Sequence, residues 1–345
     1  MISLQEILEK LKTYDGRKLK IMEVCGTHTA AIFKNGIRDL ISPNITLLSG
    51  PGCPVCVTSA AYIDRAIALA KTPQHVVLTF GDMLKVTGST QSFSEAKADG
   101  AKVEMMYSPF EALEKAKAHP ENTYVLAAVG FETTAPVYAR LLSRAIDEGI
   151  KNIKLLTDLK TITPALDWIS HISPSIDGYI CPGHTAVITG TTAYSQLAKK
   201  HHRPFVVTGF EGEHILVAIY DIVCQIQSGK AQLHNLYQNA VHVNGNQEAK
   251  ALLEKYFDVA PAFWRGIGSI DQTGLFLKEQ YAEFDAGKVI SVQENKSCAC
   301  GSVMLGQISP NECPMFGTAC TPTHPQGACM VSFEGACGIW YRNRR

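Results

Sequence analysis

The sequence predicts an α/β fold with two consecutive parallel-sheet α/β domains of related fold, followed by a loop-rich C-terminal domain. Short apolar runs bounded by Gly, Pro or polar turns recur from Lys18 to Phe210, and their spacing is the length of a strand plus a crossover helix. The runs lack apolar–polar alternation, which is typical of parallel strands covered on both faces. After about Gly229 this pattern is lost and a segment rich in Cys, Pro and Gly follows.

Eight runs are predicted to be strands, in the order KLKIMEVC, NITLLSG, HVVLTFG, AKVEMMYS, TYVLAAVGF, IKLLTD, DGYICPG and PFVVTGF. Helical spacing is clearest in VTSAAYIDRAIALAK and APVYARLLSRAIDEG, and the N-terminal MISLQEILEKLK predicts a short amphipathic helix. We expect a first α/β domain over residues 1–118, a second over 119–232, and a third, metal-dependent domain over 233–345.

Composition narrows the classes of partner. Lys+Arg and Asp+Glu both number 32 in 345 residues, so no net charge favours nucleic acid or an anionic membrane. No apolar stretch reaches the roughly 18 residues that a transmembrane helix needs, and the charged N-terminus is unlike a signal peptide. The sequence contains neither a G-x-G-x-x-G after the first strand nor a P-loop motif. We therefore expect a cytoplasmic protein that binds no nucleic acid and no membrane.

Several predicted strands end in small or chemically active residues. In open parallel sheets, ligands bind beyond the carboxyl ends of the strands, so these segments are expected to meet at a cleft between the two α/β domains. The segments are Cys25-Gly26-Thr27-His28, Gly50-Pro51-Gly52-Cys53, Gly81-Asp82, Gly130-Phe131-Glu132-Thr133-Thr134, Cys181-Pro182-Gly183-His184 and Gly209-Phe210-Glu211.

The eleven cysteines are unevenly distributed. Six lie between residue 298 and the C-terminus, and three lie between Cys25 and Cys56. Structural disulfides are disfavoured in a reducing cytoplasm, so clustered thiols there indicate metal binding or redox chemistry.

The motif GPGCPVCVT contains a C-x-x-C pair, Cys53 and Cys56, which we place at the start of a helix. There the helix dipole and free backbone N–H groups favour a thiolate, so the motif predicts a reversible disulfide or a transferable-metal site. Half of a zinc site and inert core cysteines are the alternatives, although no second C-x-x-C or H-x-x-x-H follows nearby.

Cys25 ends the first strand in EVCGTHT. A lone strand-end cysteine is commonly a small buried hydrophobe. The adjacent Thr-His-Thr instead favours an iron ligand or a nucleophile, with His28 as proton acceptor or orienting group.

Two further loops hold polar candidates. GFETTAP predicts a strand, a turn and a helix start, with Thr133 or Thr134 as N-cap and Pro136 in the first turn. Helix capping alone explains this pattern, and so does a role of Glu132 and the hydroxyls in lining the cleft. His184 in PGHTAVITG is either a cleft residue or an ordinary surface histidine.

The C-terminal block predicts an iron–sulfur cluster, because four thiolates are the standard ligand set of a 4Fe-4S centre. Our ligand set is Cys298, Cys313, Cys320 and Cys337, with Cys300 and Cys329 as alternates. Zinc is the main alternative metal. Cysteines beyond the four ligands would suit a cluster that passes electrons to a disulfide.

These motifs, in this order, resemble the HypD family of nickel–iron hydrogenase maturation factors. The similarity runs from about Ile21 to Cys337 through C-G-T-H-T, G-P-G-C-P-V-C-x-T, G-F-E-T-T-x-P, P-G-H-x-x-x-I-x-G and the tail C-x-C-G…E-C…F-G-x-x-C-T-P…G-x-C-M-V-S-x-E-G-x-C.

The resemblance implies a scaffold that joins the small protein HypC and carries a transient iron with cyanide and carbonyl ligands for the hydrogenase large subunit. HypE is implied as the cyanide donor, itself served by HypF. By motif position, Cys25 is the implied iron ligand, Cys53 and Cys56 are the redox pair, and the tail cysteines hold a 4Fe-4S cluster. The implied cleft residues are His28, Thr133, Thr134, Pro136 and His184.

Two other classes remain open at this stage. One is a thiol–disulfide oxidoreductase that resembles the ferredoxin-dependent thioredoxin reductases, and the other is a zinc-held structural adaptor.

Overall fold

The computed structural model describes residues 2–289 and 298–344. The strands of these ranges, in chain order, are β1 Leu19–Glu23, β2 Ile45–Ser49, β3 His75–Thr79, β4 Val103–Met105, β5 Thr123–Gly130, β6 Ile153–Lys160, β7 Gly178–Cys181, β8 Phe205–Val207, β9 Leu233–Asn235, β10 Phe257–Trp264 and β11 Gly268–Leu277.

The α-helices of the same ranges are α1 Leu4–Lys12, α2 Gly26–Lys34, α3 Ile37–Leu40, α4 Ala60–Ala70, α5 Phe93–Ala98, α6 Glu111–Ala118, α7 Ala135–Asp147, α8 Ile162–Ile172, α9 Gly183–Thr189, α10 Thr192–His201, α11 Gly212–Gln227, α12 Gln247–Tyr256, α13 Cys300–Met304, α14 Ala328–Val331 and α15 Ala336–Arg342. None of them combines the length and the apolarity that crossing a bilayer requires.

The strands form two sheets. The first has the order β2-β1-β7-β8-β9 and is entirely parallel. The second has the order β10-β11-β6-β5-β3-β4, in which β11 pairs antiparallel with both β10 and β6 and the remaining pairs are parallel. The α/β class and the two predominantly parallel sheets are therefore confirmed.

Local sequence explains most elements. All eight apolar runs contain strands, and the three predicted helices are α1, α4 and α7. Ser3 and Glu6 form a capping box at α1, and the Ser59 hydroxyl accepts a hydrogen bond from the Tyr62 N–H at the start of α4. Thr134 is the N-cap of α7 and Pro136 lies in its first turn, as predicted.

The assignment of strands to sheets differs from the prediction. Each sheet takes strands from all three predicted segments, 1–118, 119–232 and 233–345, because the chain changes sheet after β2, after β6 and again after β9. The prediction assigns one contiguous segment to each domain, whereas the crossover through α8 returns the chain from β6 to the first sheet beside β1. The sheets are not consecutive in the sequence.

The expected loss of strands after Gly229 is also wrong. Strand β9 completes the first sheet, and the hairpin of β10 and β11 extends the second. Residues 257–264 alternate little between buried and exposed positions, and the register shifts between Ala260 and Ala262, so the period-two pattern that marks a strand is weak.

The C-terminal part is rich in loops. Between residues 298 and 344 the regular elements are short helices, and α14 has only four residues. One large core cluster contains buried residues of both sheets and of this tail, including Cys53, Cys181, Cys300 and Cys329. The tail therefore packs on the sheets rather than standing apart.

Candidate thiol and metal site

Cys25 lies where β1 passes into α2, as the residue before the helix. Its backbone N–H donates to Glu23 Oε2 at 3.0 Å, and the Thr29 hydroxyl donates to the other carboxylate oxygen. Glu23 is itself buried. The last residue of the strand therefore fixes the backbone on which the cysteine sits.

Burial raises the pKa of the Cys25 thiol to about 11. The backbone N–H groups of His28 and Thr27, at the N-terminus of α2, act in the opposite direction, while the Glu23 carboxylate adds to the rise. The thiol is thus protonated at neutral pH and needs a metal or another cation before it becomes a thiolate.

Cys53 and Cys56 form a disulfide, with their Cα atoms 5.3 Å apart. The Cys56 N–H donates to Cys53 Sγ at 3.1 Å. The predicted position at a helix start is wrong: the pair occupies a turn, and α4 begins only at Ala60. Ser59 caps that helix, so its N–H groups are not directed at the cysteines.

Gly52 brings this turn against Cys25. A Cβ atom on Gly52 would meet Cys25 Cα at 2.5 Å, so only glycine allows the two backbones to approach so closely. The Gly50 N–H also donates to the Glu23 carbonyl at 2.8 Å. The predicted proximity of the Cys25 loop and the C-x-x-C loop is therefore present.

The tail covers this pair of loops. The Glu334 backbone lies against Gly26, where a Cβ would have no room, and Ser332 Oγ is 3.4 Å from Cys53 Sγ. A small cavity remains between them. It is lined by Gly26, Thr29, Gly50, Pro51, Gly52, Cys53, Cys56, Met304, Cys329, Glu334 and Ala336.

All six tail cysteines line a second, small cavity. Its other walls are largely apolar and include Val303, Met315, Phe316 and Met330. Six sulfurs around one apolar cavity match the chemistry of an iron–sulfur cluster, which takes four thiolates. Within residues 2–289 and 298–344, no three His, Cys, Asp or Glu side chains surround a point where one metal ion would sit.

Cys300 and Cys329 are the deepest of the six. Both are buried and their sulfurs are 3.1 Å apart. Cys329 lines both cavities, so it lies between the tail cysteines and the Cys53–Cys56 disulfide.

His28 is buried in the first turn of α2, with Nε2 at 3.0 Å from the Gly209 carbonyl. Its Nδ1 has no hydrogen-bond partner among the described residues. Burial lowers the pKa of His28 to about 4, so the ring is neutral at pH 7. Phe210 stacks on His28 at 4.8 Å and on the exposed His184 at 4.0 Å, which brings these two histidines together. Their chemical roles stay predictions.

The GFETTAP loop lies at the carboxyl end of β5, which is an inner strand of the second sheet. Glu132 is buried, and its Oε1 accepts from the Ile162 N–H at 2.8 Å, so it caps α8. Thr133 is exposed, and neither it, Thr134 nor Pro136 is among the described residues that line the two cysteine cavities. Their expected part in binding stays a prediction.

Sequence reasoning missed Glu23, Ser332 and Glu334 as residues of this site. The one local signal for Glu23 is the carboxylate at the end of an otherwise apolar strand, in KIMEVC. Charged side chains are seldom buried unless they are paired. Ser332 and Glu334 reach the site only through the tertiary packing of the tail.

The fold and the site define an α/β protein with a thiol-based centre, in which a disulfide-forming pair and a strand-end cysteine adjoin a cavity of six cysteines. A family model, HypD, described as "Hydrogenase formation hypA family", matches residues 2–344. The chain belongs to the HypD family of hydrogenase maturation factors.

Curated relatives agree with this membership. The chain is 40% identical over 339 residues to the hydrogenase maturation factor HypD of Azotobacter vinelandii, covering 94% of this chain and 89% of the relative. It is 38% identical over 336 residues to HypD of Escherichia coli K12, covering 95% and 90%. A putative hydrogenase expression/formation protein of Methanocaldococcus jannaschii is 40% identical over 333 residues, covering 95% and 93%.

Proposed function

We propose that this protein, together with HypC, is the scaffold on which the Fe(CN)2CO group of nickel–iron hydrogenases is assembled in the cytoplasm. The observation that carries this proposal is the direct approach of Cys25 to the Cys53–Cys56 turn beneath the cysteine-rich tail. That arrangement gives one thiol for a metal and a neighbouring thiol pair for redox chemistry.

Cys25 is the proposed ligand of the iron that carries cyanide and carbonyl, which is the cargo of the reaction. Soft thiolates suit such iron. Burial holds the thiol protonated before iron arrives, and ligation then expels the proton, so the bond is made only with metal present. His28 is the proposed orienting group or proton acceptor, since its ring is neutral and its Nδ1 has no hydrogen-bond partner among the residues that the structure describes.

The Cys53–Cys56 pair is the proposed redox couple. Opening the disulfide takes two electrons and two protons and leaves two thiols beside Cys25. The hydroxyl of Ser332, 3.4 Å from Cys53 Sγ, is positioned to stabilise a thiolate there.

Cys298, Cys313, Cys320 and Cys337 are the proposed holders of a 4Fe-4S cluster. When bound, the cluster would supply electrons one at a time. Cys300 is in contact with Cys329, and Cys329 lines both cavities. These two thiols are proposed to reduce the Cys53–Cys56 disulfide by thiol–disulfide exchange, which leaves them as a disulfide in turn.

The proposed partners follow from the family. HypC contributes the second sulfur on the iron, HypE donates cyanide that originates from HypF, and the finished group goes to the hydrogenase large subunit. Thr133, Thr134, Pro136 and His184 are the proposed contacts of the cleft.

Infrared spectroscopy of the anaerobic complex with HypC tests the proposal. We expect Cys25→Ala to keep the fold, the brown colour and the partner contact but to lose the cyanide and carbonyl bands. Cys224→Ala, on α11, is the matched control and should retain them. Full bands in Cys25→Ala would eliminate Cys25 as the ligand and leave Cys53 or Cys56.

A thiol–disulfide oxidoreductase is the second candidate, favoured by the disulfide beside a cysteine-lined cavity. Reduction of a protein disulfide by the purified, reduced protein, without cyanide or carbonyl bands in the HypC complex, would select it.

A further inference from the structure

The hairpin turn between β10 and β11 lies at the junction of the two cysteine sites. The Arg265 N–H donates to the carbonyl of Val57, next to Cys56, at 2.9 Å. The preceding Trp264 is fully buried and donates from Nε1 to Thr273 Oγ1 at 2.8 Å. Arg265 is thus fixed on the disulfide-bearing turn.

The same hairpin turn packs against the backbone at Cys300 and Gly301. A Cβ on Gly266 would stand 2.7 Å from the Gly301 nitrogen, and a Cβ on Gly301 would overlap the Gly266 carbonyl oxygen. Gly301 follows Cys300 at the start of α13. The hairpin turn therefore connects the Cys53–Cys56 turn to the Cys298–Cys300 segment.

The side chain of Arg265 is a buried cation without a visible counter-charge. Its residue is 9% exposed, its Nη1 has no hydrogen-bond partner, and no salt bridge joins it to an acid within the described ranges. Arginine stays charged in proteins, and an unpaired buried charge is costly. Arg140, by contrast, is half exposed and pairs with Glu248. Some negative group must offset Arg265.

The tail sulfurs are the groups that its charge reaches. The Arg265 guanidinium interacts electrostatically with both Cys298 and Cys300. Gly266, the residue after Arg265, is packed against Gly301, the residue after Cys300. Four cysteine thiolates around a cluster are the concentrated negative charge that the cation lacks.

We propose that Arg265 is a positioning residue whose fixed positive charge stabilises the reduced state of the metal centre held by the tail cysteines. The inference rests on the proposed cluster and goes beyond it by assigning the residue that tunes its potential. One-electron reduction adds a negative charge to the centre, and a buried cation beside its ligands favours that state. The effect is the same whether Cys298 or Cys300 is the ligand.

Two variants separate charge from shape. Arg265→Met removes the charge and keeps a long apolar stem, whereas Arg265→Lys keeps the charge and loses the planar fork. The full-length proteins, reconstituted anaerobically with iron and sulfide, are titrated with redox mediators, and the reduced fraction is followed by absorbance and electron paramagnetic resonance. Iron per chain and far-ultraviolet circular dichroism establish that each variant is folded and loaded.

We expect Arg265→Met to lower the reduced-to-oxidised ratio at a fixed potential about tenfold, which is ~59 mV for a one-electron couple. Arg265→Lys should stay within about twofold of the parent protein. Arg140→Met, which removes an exposed arginine, should leave the ratio unchanged.

Three outcomes would overturn the assignment. In the first, a fully loaded Arg265→Met protein has the parent midpoint potential. In the second, Arg265→Lys shifts the potential as far as Arg265→Met. In the third, both variants lose iron, which would make Arg265 a structural residue. A parent protein that binds no iron–sulfur centre would instead reject the proposed cofactor, so the two failures are distinguishable.

Discussion

The molecule holds its cysteines in two different ways. The strand-end site, defined as Cys25, Cys53 and Cys56, is built on β1, which is paired on both sides, with β2 and β7. The tail site, defined as the six cysteines from Cys298 to Cys337, is built on turns and on helices of four to seven residues.

The sheet fixes the geometry of the strand-end site. The tail site lies on short elements, so its geometry depends on packing and on the proposed ligand. Parallel pairing fixes β1, and with it the Glu23 carboxylate that accepts a hydrogen bond from the Cys25 backbone. Isolated helices of the lengths found in the tail are marginal in water, so packing and ligation must hold them. For the proposed cluster, ligation energy is expected to contribute directly to folding of the tail and not of the strand ends.

The largest expected effect is loss of the tail site. Replacing Cys313 or Cys320 by Ala should remove the cluster, bleach the protein and expose the C-terminal segment to proteolysis, because both residues line the cysteine cavity. Iron per chain, visible absorbance and limited proteolysis measure this. Cys224→Ala should leave all three unchanged. Unaltered iron in both variants would mean that the tail does not hold the cluster.

The converse experiment alters the strand-end site alone. Cys53→Ser and Cys56→Ser should each abolish hydrogenase maturation while iron in the tail stays at the parent level, because the pair can form a disulfide and does not need to ligate permanently. Hydrogenase activity after co-expression and iron per chain are the two measurements. If cluster iron falls in either variant, the pair belongs to the metal site and the contrast between the two sites fails.

The sequence predicts the strand-end site better than the tail site for a physical reason. Apolar runs, Ser caps and the N-cap of α7 are set by nearest neighbours, so all eight runs and the three helices are found. Sheet order depends on pairs far apart in sequence, such as β1 with β7, and local pattern does not encode it. For this reason, the predicted consecutive order of the two sheets is wrong.

Long-range packing also explains the residues that were missed. Arg265 follows a hairpin strand and looks like any surface arginine in the sequence, and only the fold brings it to Cys300. Cys300 and Cys329 were alternates for ligation because spacing along a loop says nothing of which sulfurs touch. The number of cysteines can be read from the sequence, whereas their arrangement in space cannot.

A smaller effect tests the close approach within the strand-end site. Gly52→Ala would place a methyl group against the Cys25 backbone, and forced overpacking of this kind typically costs about 1–3 kcal/mol and occasionally more. We expect a loss of that order in the free energy of unfolding, together with weaker cyanide and carbonyl bands.

Gly81→Ala is the control for this substitution. Its nearest obstacle is the flexible Met105 Sδ, at 3.1 Å, so the loss should stay below ~1 kcal/mol. Equal losses in the two variants, measured by anaerobic urea denaturation, would show that the contact between Gly52 and Cys25 has no special tightness.

The smallest effect concerns how stability depends on pH through Glu132, which lies in the loop after β5. Burial raises the pKa of Glu132 to about 7, although N–H groups including that of Ile162 oppose the rise. A raised pKa favours the protonated form in the folded state, so its contribution to stability is present below pH 4.5 and is lost as pH rises through 7. Glu132→Gln cannot ionise, so relative to the parent its free energy of unfolding should increase by about 2 kcal/mol between pH 5 and pH 8.

Glu104→Gln, which removes a half-exposed partner of Lys115 on the same sheet, should change by less than ~0.5 kcal/mol. Urea denaturation at the two pH values decides, since a gap that does not move with pH would mean that Glu132 is ionised throughout and that its cap on α8 alone stabilises the loop.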